Sequence, residues 1–226
     1  MSLFIISAPS GSGKTTLTNE LRRIMPGLEF SISYTTRARR GSEQNGREYF
    51  FVTREEFDDM ERRGEFLEHA VVFGNCYGTA KRFLQEAHDS GMDLLLDIDV
   101  QGAAQVKKTM PDAVSIFILP PSRQVLEWRL RNRSHHAEPI SEEVIERRLH
   151  TATKEIENYS KYDYILVNDR LEESVDLLKA IVLSERAKSS GGELSAEQIN
   201  LVKTAERCRL ENQRDRIKQI LATFNL

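Results

Sequence analysis

Short apolar runs alternate with amphipathic stretches along most of this chain, and that alternation predicts strands interleaved with helices. Leu3-Phe4-Ile5-Ile6 reads as a buried strand. Leu17, Leu21 and Ile24 then fall on one face of a helix that stops at Pro26-Gly27. Phe30, Ile32 and Tyr34 alternate with Ser31, Ser33 and Thr35, which predicts one strand with an apolar and a hydroxyl-rich face. Tyr49-Phe50-Phe51-Val52 predicts a short strand, and Thr53 with Glu56 forms a capping box for a helix ending at Gly64. Phe66 to Phe73 is expected to be extended. Gly74-Asn75-Cys76-Tyr77-Gly78 reads as a turn, and Thr79 as the cap of a helix that stops at Gly91.

The second half keeps the rhythm. Leu94 to Asp99 reads as a buried parallel strand ending in carboxylates, Ala103 to Met110 as a short helix, and Val114 to Ile118 as another buried strand. Ser122 caps a helix running through Arg131. Ser141 opens a longer one, on which Ile145, Leu149, Ala152, Ile156 and Tyr159 keep a single helical stripe. Tyr164 to Val167 is the last strand and Leu171 to Arg186 the last core helix. Strands alternating with helices predict an α/β fold, a parallel sheet covered on both faces. The rhythm breaks between Tyr34 and Gly78, which reads as a small inserted lobe over 34–78. The expected organisation is a core domain over 1–187, a Ser/Gly-rich linker over 188–194 and a helical extension over 195–226. Ile217, Ile220, Leu221 and Phe224 give that extension an apolar face, which argues against a free tail. Packing on the chain's own core, a homodimer through this helix, or contact with something else would each cover it.

Composition narrows the setting more than the chemistry. A net charge of −3 gives no bulk attraction to nucleic acid or anionic membrane. The apolar runs are too short to cross a bilayer, and the N-terminus lacks the pattern of a signal peptide. Cys76 and Cys208 are the only cysteines, with no metal-site spacing. The expectation is a soluble cytoplasmic protein with no nucleic-acid or membrane partner.

The chemistry starts at Ala8-Pro9-Ser10-Gly11-Ser12-Gly13-Lys14-Thr15, which lies between the first strand and the first helix. That context is the one a phosphate-binding loop requires. Glycines let backbone N–H groups curl around an anion, and the helix points its positive end at the same place. Lys14 is expected to reach the terminal phosphates and the Thr15 hydroxyl to ligate Mg²⁺. Ala8 stands where the motif usually has its first glycine, which a small residue can satisfy if the backbone there avoids positive φ.

Arginines then suggest a second phosphate-bearing ligand. Arg37, Arg39 and Arg40 cluster at a turn, Arg129, Arg131 and Arg133 at the end of a helix, and Arg147 and Arg148 inside the next. For Arg131 and Arg147 a solvated ion-paired face fits as well as a role in the reaction. Glu68, in the apolar context Phe66-Leu67-Glu68-His69, must be paired or exposed. A guanine edge, with adjacent N–H and NH₂ donors, would satisfy both its oxygens, and so would an arginine. Ser33 and Thr79 are candidate donors to the guanine carbonyl.

From about Leu3 to Arg186 the chain resembles the guanylate kinase family. The marks are the loop above, Ser33-Tyr34-Thr35-Thr36-Arg37, Gly46-Arg47-Glu48-Tyr49-Phe50-Phe51, Phe66-Leu67-Glu68-His69-Ala70, Gly74-Asn75-Cys76-Tyr77-Gly78-Thr79, Leu96-Asp97-Ile98-Asp99-Val100-Gln101-Gly102 and Val167-Asn168-Asp169. The Ala8 departure is itself usual in that family. The resemblance implies a P-loop NTPase-type sheet with an inserted nucleoside-monophosphate-binding lobe over 34–78, a helical lid over 129–148 and the C-terminal extension. It implies transfer of the γ-phosphoryl of ATP to GMP, and to dGMP, with Mg²⁺, in purine nucleotide metabolism. ATP would lie on Ala8, Pro9, Ser10, Gly11, Ser12, Gly13, Lys14, Thr15 and Thr16, with the Asn168 region on the adenine side. Ser33, Glu68, Thr79 and Asp99 would read the guanine, and Arg37, Arg40, Tyr49 and Tyr77 would hold the GMP phosphate. Lys14, Arg37, Arg133 and Arg148 would stabilise the transferring group, and Asp97 would approach the magnesium through water. Asp99 has a second reading, as the cap of the helix beginning near Gln101. Arg39 stands in place of a common proline, which predicts a looser turn. Cys76 stands where tyrosine is frequent, a packing position or an oxidisable thiol. A longer loop runs over His135-His136-Ala137-Glu138-Pro139-Ile140. A peptide-binding scaffold of the same fold, or a P-loop kinase for another phosphorylated acceptor, are the competing readings.

Overall fold

The computed structural model describes residues 1–132 and 141–226. In chain order the first half runs β1 (Leu3–Ser7), α1 (Lys14–Ile24), β2 (Leu28–Phe30), β3 (Tyr34–Thr35), β4 (Phe50–Phe51), α2 (Arg54–Arg62), β5 (Phe66–Val72), β6 (Asn75–Ala80), α3 (Arg82–Asp89), β7 (Asp93–Asp97) and α4 (Val100–Thr109). The second half runs β8 (Val114–Leu119), α5 (Arg123–Asn132), α6 (Glu142–Ile156), β9 (Tyr164–Val167), α7 (Leu171–Ser190), α8 (Ala196–Glu206) and α9 (Arg214–Ala222). The larger sheet has five strands in the order β2-β7-β1-β8-β9, with β2–β7 and β8–β9 parallel, as continuous apolar strands between helices predict. A smaller sheet orders β4-β3-β6-β5. The chain divides into two compact units, Met1–Ile5 with Pro26–Ala113, and Ile6–Met25 with Val114–Leu226. No helix among the described residues is long and apolar enough to cross a membrane.

The first unit carries the inserted lobe. Its core is Phe57, Met60, Phe66 and Cys76, against which Tyr34 and Val52 pack. Cys76 is therefore a buried packing residue, not an exposed thiol. The capping box forms as expected: Glu56 N–H donates to Thr53 Oγ1 at 3.1 Å, and Thr53 N–H to Glu56 Oε2 at 2.7 Å. Three expectations change. The strand expected from Phe30 to Thr35 is two strands, β2 in the larger sheet and β3 in the smaller. Alternation records extended backbone, not the sheet it joins. The turn shrinks to Phe73 and Gly74, whose φ values of 49° and 80° give the paired left-handed residues of a two-residue hairpin. Cys76, Tyr77 and Gly78 consequently enter β6. Thr79 is a strand residue of β6 and caps nothing; α3 opens three residues later, at Arg82, with Lys81 at its N-cap.

In the second unit Ile145, Leu149, Ala152 and Ile156 are buried along α6, as the stripe predicts, but α6 ends at Ile156 and Tyr159 lies beyond it in a short 3₁₀ turn. Ser122 Oγ caps α5 by accepting from Val125 N–H at 3.2 Å, whereas Ser141 sits at the N-cap of α6 without a side-chain bond. α7 runs on to Ser190, past the expected end at Arg186. The extension is not one helix but α8 and α9, broken where it meets β9. There Ile165 N–H donates to Cys208 O at 2.7 Å, and Gln213 Nε2 donates to Ile165 O. Backbone groups on the open side of an edge strand need partners, and the break supplies them.

Arg209 locks this junction. It donates to Asp163 O at 2.9 Å and to Tyr164 Oη at 3.0 Å, and its guanidinium lies 3.8 Å from the Tyr164 ring centre. Tyr164 in turn donates to Glu185, and burial followed by that carboxylate raises the pKa of its phenol. Ile217, Ile220 and Phe224 are buried, and Thr223 Oγ1 accepts from Arg123 N–H at 2.9 Å. Three of the four residues of that apolar face are thus covered within the chain. Arg209→Met is expected to remove roughly 2 kcal/mol and lower Tm by roughly 4–8 °C, read by thermal unfolding. An unchanged Tm would mean that Arg209 does not hold this junction.

Candidate active site

The phosphate loop begins where β1 ends. Gly11 and Gly13 have φ of 93° and 88°, the left-handed region that favours glycine, whereas Ala8 lies outside it. Alanine therefore serves at the first position of the motif without strain. Ser12 N–H donates to Pro9 O at 3.1 Å, closing the turn. α1 starts at Lys14 with no side-chain cap and no acid in its first turn, so its leading N–H groups and positive end are open to an anion. The Ser12 hydroxyl is buried and has no hydrogen-bond partner among the described residues, as a group awaiting a ligand would be.

The loop is held from behind by residues that sequence reasoning ranked lower. Arg129 donates to Ser12 O at 3.3 Å and to Asn168 O at 3.0 Å, and Asn168 Nδ2 donates to Ser12 O at 2.7 Å. Burial lowers the pKa of the Arg129 guanidinium. Leu126 and Leu130 lie so close to Gly11 that a Cβ there would come within 3.0 Å of both. Asn168, expected on the adenine side, spends its amide on the loop itself. The signal for Arg129 was available: it falls three residues after Leu126, on the face that α5 buries. Arg131 is exposed and paired with Glu127 and Glu142, so the ion-paired reading holds for it. Arg147 is exposed, while Arg148 on α6 is half-buried. Arg133 and the His135–Ile140 loop lie outside the described residues.

A second constellation forms in the first unit. Glu68 on β5 is 4% exposed and pairs across the ladder with Thr79 on β6, which is fully buried. The Thr79 hydroxyl has no hydrogen-bond partner among the described residues. Ser33 immediately precedes β3, whose Tyr34 pairs with Gly78 on β6. Asp99 is the N-cap of α4: its Oδ1 accepts from Gly102 N–H at 2.8 Å and its Oδ2 from Gln101 Nε2 at 3.0 Å. The capping reading of Asp99 is therefore realised. Asp97 ends β7, two residues earlier.

Next to the hairpin the structure gathers Arg37, Tyr49 and Tyr77. Arg37 is 7% exposed, its guanidinium lies 5.2 Å from the Tyr49 ring centre, and the Tyr49 and Tyr77 rings meet edge-on at 5.9 Å. Glu43, which sequence reasoning missed, binds Arg37 Nη2 with both oxygens at 2.8 and 3.0 Å and accepts from Arg40 N–H at 2.8 Å. Burial works against the Arg37 charge, but Glu43 and then Tyr77 outweigh it and the pKa is raised. Burial likewise opposes the Glu43 charge, and Arg37 with the Arg40 amide holds that carboxyl below its usual range. The spacing Arg37, Arg40, Glu43 was the available signal. The turn is not loosened by Arg39, whose guanidinium ties back to Glu43 O at 3.1 Å. Arg40 keeps an exposed side chain.

Among the described residues no three His, Cys, Asp or Glu side chains converge as a metal cage. Thr15 and Asp97 are hard oxygen donors by residue type, the kind that Mg²⁺ carried largely by phosphates accepts.

A phosphate loop opening α1 from the end of β1, on a parallel sheet flanked by helices, defines a P-loop nucleotide-binding α/β protein. A family model described as guanylate kinase matches residues 1–185. A guanylate kinase of Koribacter versatilis is 64% identical over 224 residues, covering 98% of this chain and 95% of that one. One of Syntrophotalea carbinolica is 53% identical over 188 residues, covering 83% and 88%. The crystal structure of guanylate kinase from Anaplasma phagocytophilum superposes with a TM-score of 0.67 at 37% identity, covering 81% of this chain and 86% of that chain. The chain belongs to the guanylate kinase family.

Proposed function

We propose that this protein transfers the γ-phosphoryl group of ATP to GMP, and to dGMP, giving ADP and the corresponding diphosphate. The observation that carries the reading is the buried Glu68–Thr79 pair, an acid beside an unsatisfied hydroxyl, in a chain of this family with an intact phosphate loop. Glu68 accepts from the N1–H and 2-amino donors of guanine, and the hydroxyls of Thr79 and Ser33 donate to its carbonyl. Asp99 reads the base while capping α4. Arg37, Arg40, Tyr49 and Tyr77 hold the acceptor phosphate, with Arg37 kept in place by Glu43.

On the donor side, residues Ala8 to Thr16 cradle the ATP phosphates, and Asn168 and Arg129 keep the loop in shape. An oxygen of the GMP phosphate forms the new bond to the γ-phosphorus as the bond to the ADP oxygen breaks. The acceptor is already anionic, so no side chain has to remove a proton. Lys14, Arg37, Arg133 and Arg148 neutralise the charge of the group in flight. Mg²⁺ bound with ATP would supply further charge neutralisation, and Thr15 and, through water, Asp97 are the residues that would hold it.

Residues 1–187 carry the reaction in this reading, with 34–78 as the acceptor lobe and 129–148 as the lid, while 195–226 buttress β9. A cytoplasmic setting suits the two buried, unpaired cysteines. The test is ADP formation with GMP, dGMP, AMP, UMP and IMP as acceptors. GMP and dGMP are expected to be strongly preferred. A preference for AMP or UMP would overturn the substrate, and no turnover with any acceptor would favour a non-catalytic scaffold.

A further inference from the structure

We propose that Gly102 is a positioning residue for base recognition: its missing side chain makes the notch that the Glu68 carboxylate fills, while its N–H holds Asp99. The proposal rests on the reading of Glu68 as the guanine-binding acid. Gly102 sits in the first turn of α4, buried, with a backbone outside the left-handed region. Any L-residue adopts that conformation, and glycine there is a poorer helix former than alanine. The backbone therefore gives no reason for a glycine.

The surroundings do. A Cβ built on Gly102 would lie 2.9 Å from Glu68 Cδ, closer still to Glu68 Oε2, and 3.4 Å from Asp99 Oδ1. Both acids thus converge on one residue, Asp99 by its hydrogen bond to Gly102 N–H and Glu68 by filling the space a Cβ would take. Glu68 is also placed against the N-terminal turn of a helix, where an anion is favoured. Because the colliding atoms are the far end of a flexible side chain, a methyl group at 102 would push the carboxylate aside without breaking α4. The fold would remain and the reading head would move.

Gly102→Ala is therefore expected to raise KM for GMP by about 10- to 100-fold and to narrow the preference for GMP over IMP, which lacks the 2-amino donor. KM for ATP should stay unchanged, and Tm should stay unchanged or rise. In a Glu68→Ala background the same substitution should add nothing to KM for GMP, because the atoms it strikes are gone. Three outcomes overturn the proposal: an unchanged KM for GMP in Gly102→Ala, a parallel rise in both KM values with a lower Tm, or a full additional effect in the Glu68→Ala background. A wild-type enzyme without a GMP preference would overturn the underlying reading instead, and the acceptor panel separates that case from these.

Discussion

Lys14→Met will lower kcat by about 100- to 1,000-fold, the loss that follows removal of a group matched to charge developing in a transition state. Phosphoryl transfer leaves the protein little covalent work. Its contribution is to place two anionic reactants and neutralise the charge that spreads over the group passing between them. Lys14 is the first residue of α1, at the end of the proposed phosphate loop and at a helix N-terminus without a side-chain cap. Methionine keeps the length and apolar stem of lysine and deletes only the charge. The helix should survive, because α1 anchors itself through Leu17, Thr18 and Leu21. The expected signature is a large fall in kcat with a smaller rise in KM for ATP, since the loop amides still bind the phosphates. Lys14→Arg should rescue only part of the loss, because a planar fork does not replace a compact ammonium. Steady-state rates within a few-fold of wild type would remove Lys14 from the reaction.

What could be read from the chain, and what could not, divides by the range of the interaction. The Thr53–Glu56 box, the Ser122 cap, the α6 stripe and the phosphate loop all depend on residues a few positions apart, and each forms as expected. The misreadings lie where a distant partner decides. Phe30 and Tyr34 look like one strand until Leu95 claims the first and Gly78 the second. The tail has the composition of one helix, but β9 needs partners on its open side and breaks it at Cys208. At the site, Glu68 and Thr79 were legible as types, while their adjacency came only from the strand register. Glu43 and Gly102 were passed over, and Arg129 was named only as one of a cluster, for the same reason. Each acts on a functional residue and does not itself carry the chemistry that a motif names. The tail adds a case of its own: the family model stops at residue 185, yet the Koribacter versatilis relative matches 98% of the chain. The extension is thus a feature of part of the family, docked in this chain on the open edge of β9.

Glu68→Ala is the sharper test of what the enzyme selects. A carboxylate accepting two guanine donors makes two charge-assisted hydrogen bonds, about 1.5–3 kcal/mol each, so its loss should raise KM for GMP by about 100- to 10,000-fold. The donors of the base would then face a buried site with no acceptor. KM for ATP should not follow, because the loop proposed to hold the ATP phosphates belongs to the other unit. Glu68→Gln gives a more searching version. It preserves size and shape but turns one acceptor into a donor, which now opposes the 2-amino group of GMP. A base that keeps the N1–H donor and carries a carbonyl at position 2 would match the amide, its oxygen taking the N1–H and its nitrogen giving to the carbonyl. Xanthosine monophosphate has that edge. Glu68→Gln should therefore lose GMP and gain XMP relative to wild type, while Glu68→Ala loses GMP without gaining XMP. Competition between the two acceptors in one assay reads the ratio directly. If the ratio is the same in wild type and Glu68→Gln, the acid does not face the Watson–Crick edge of the base.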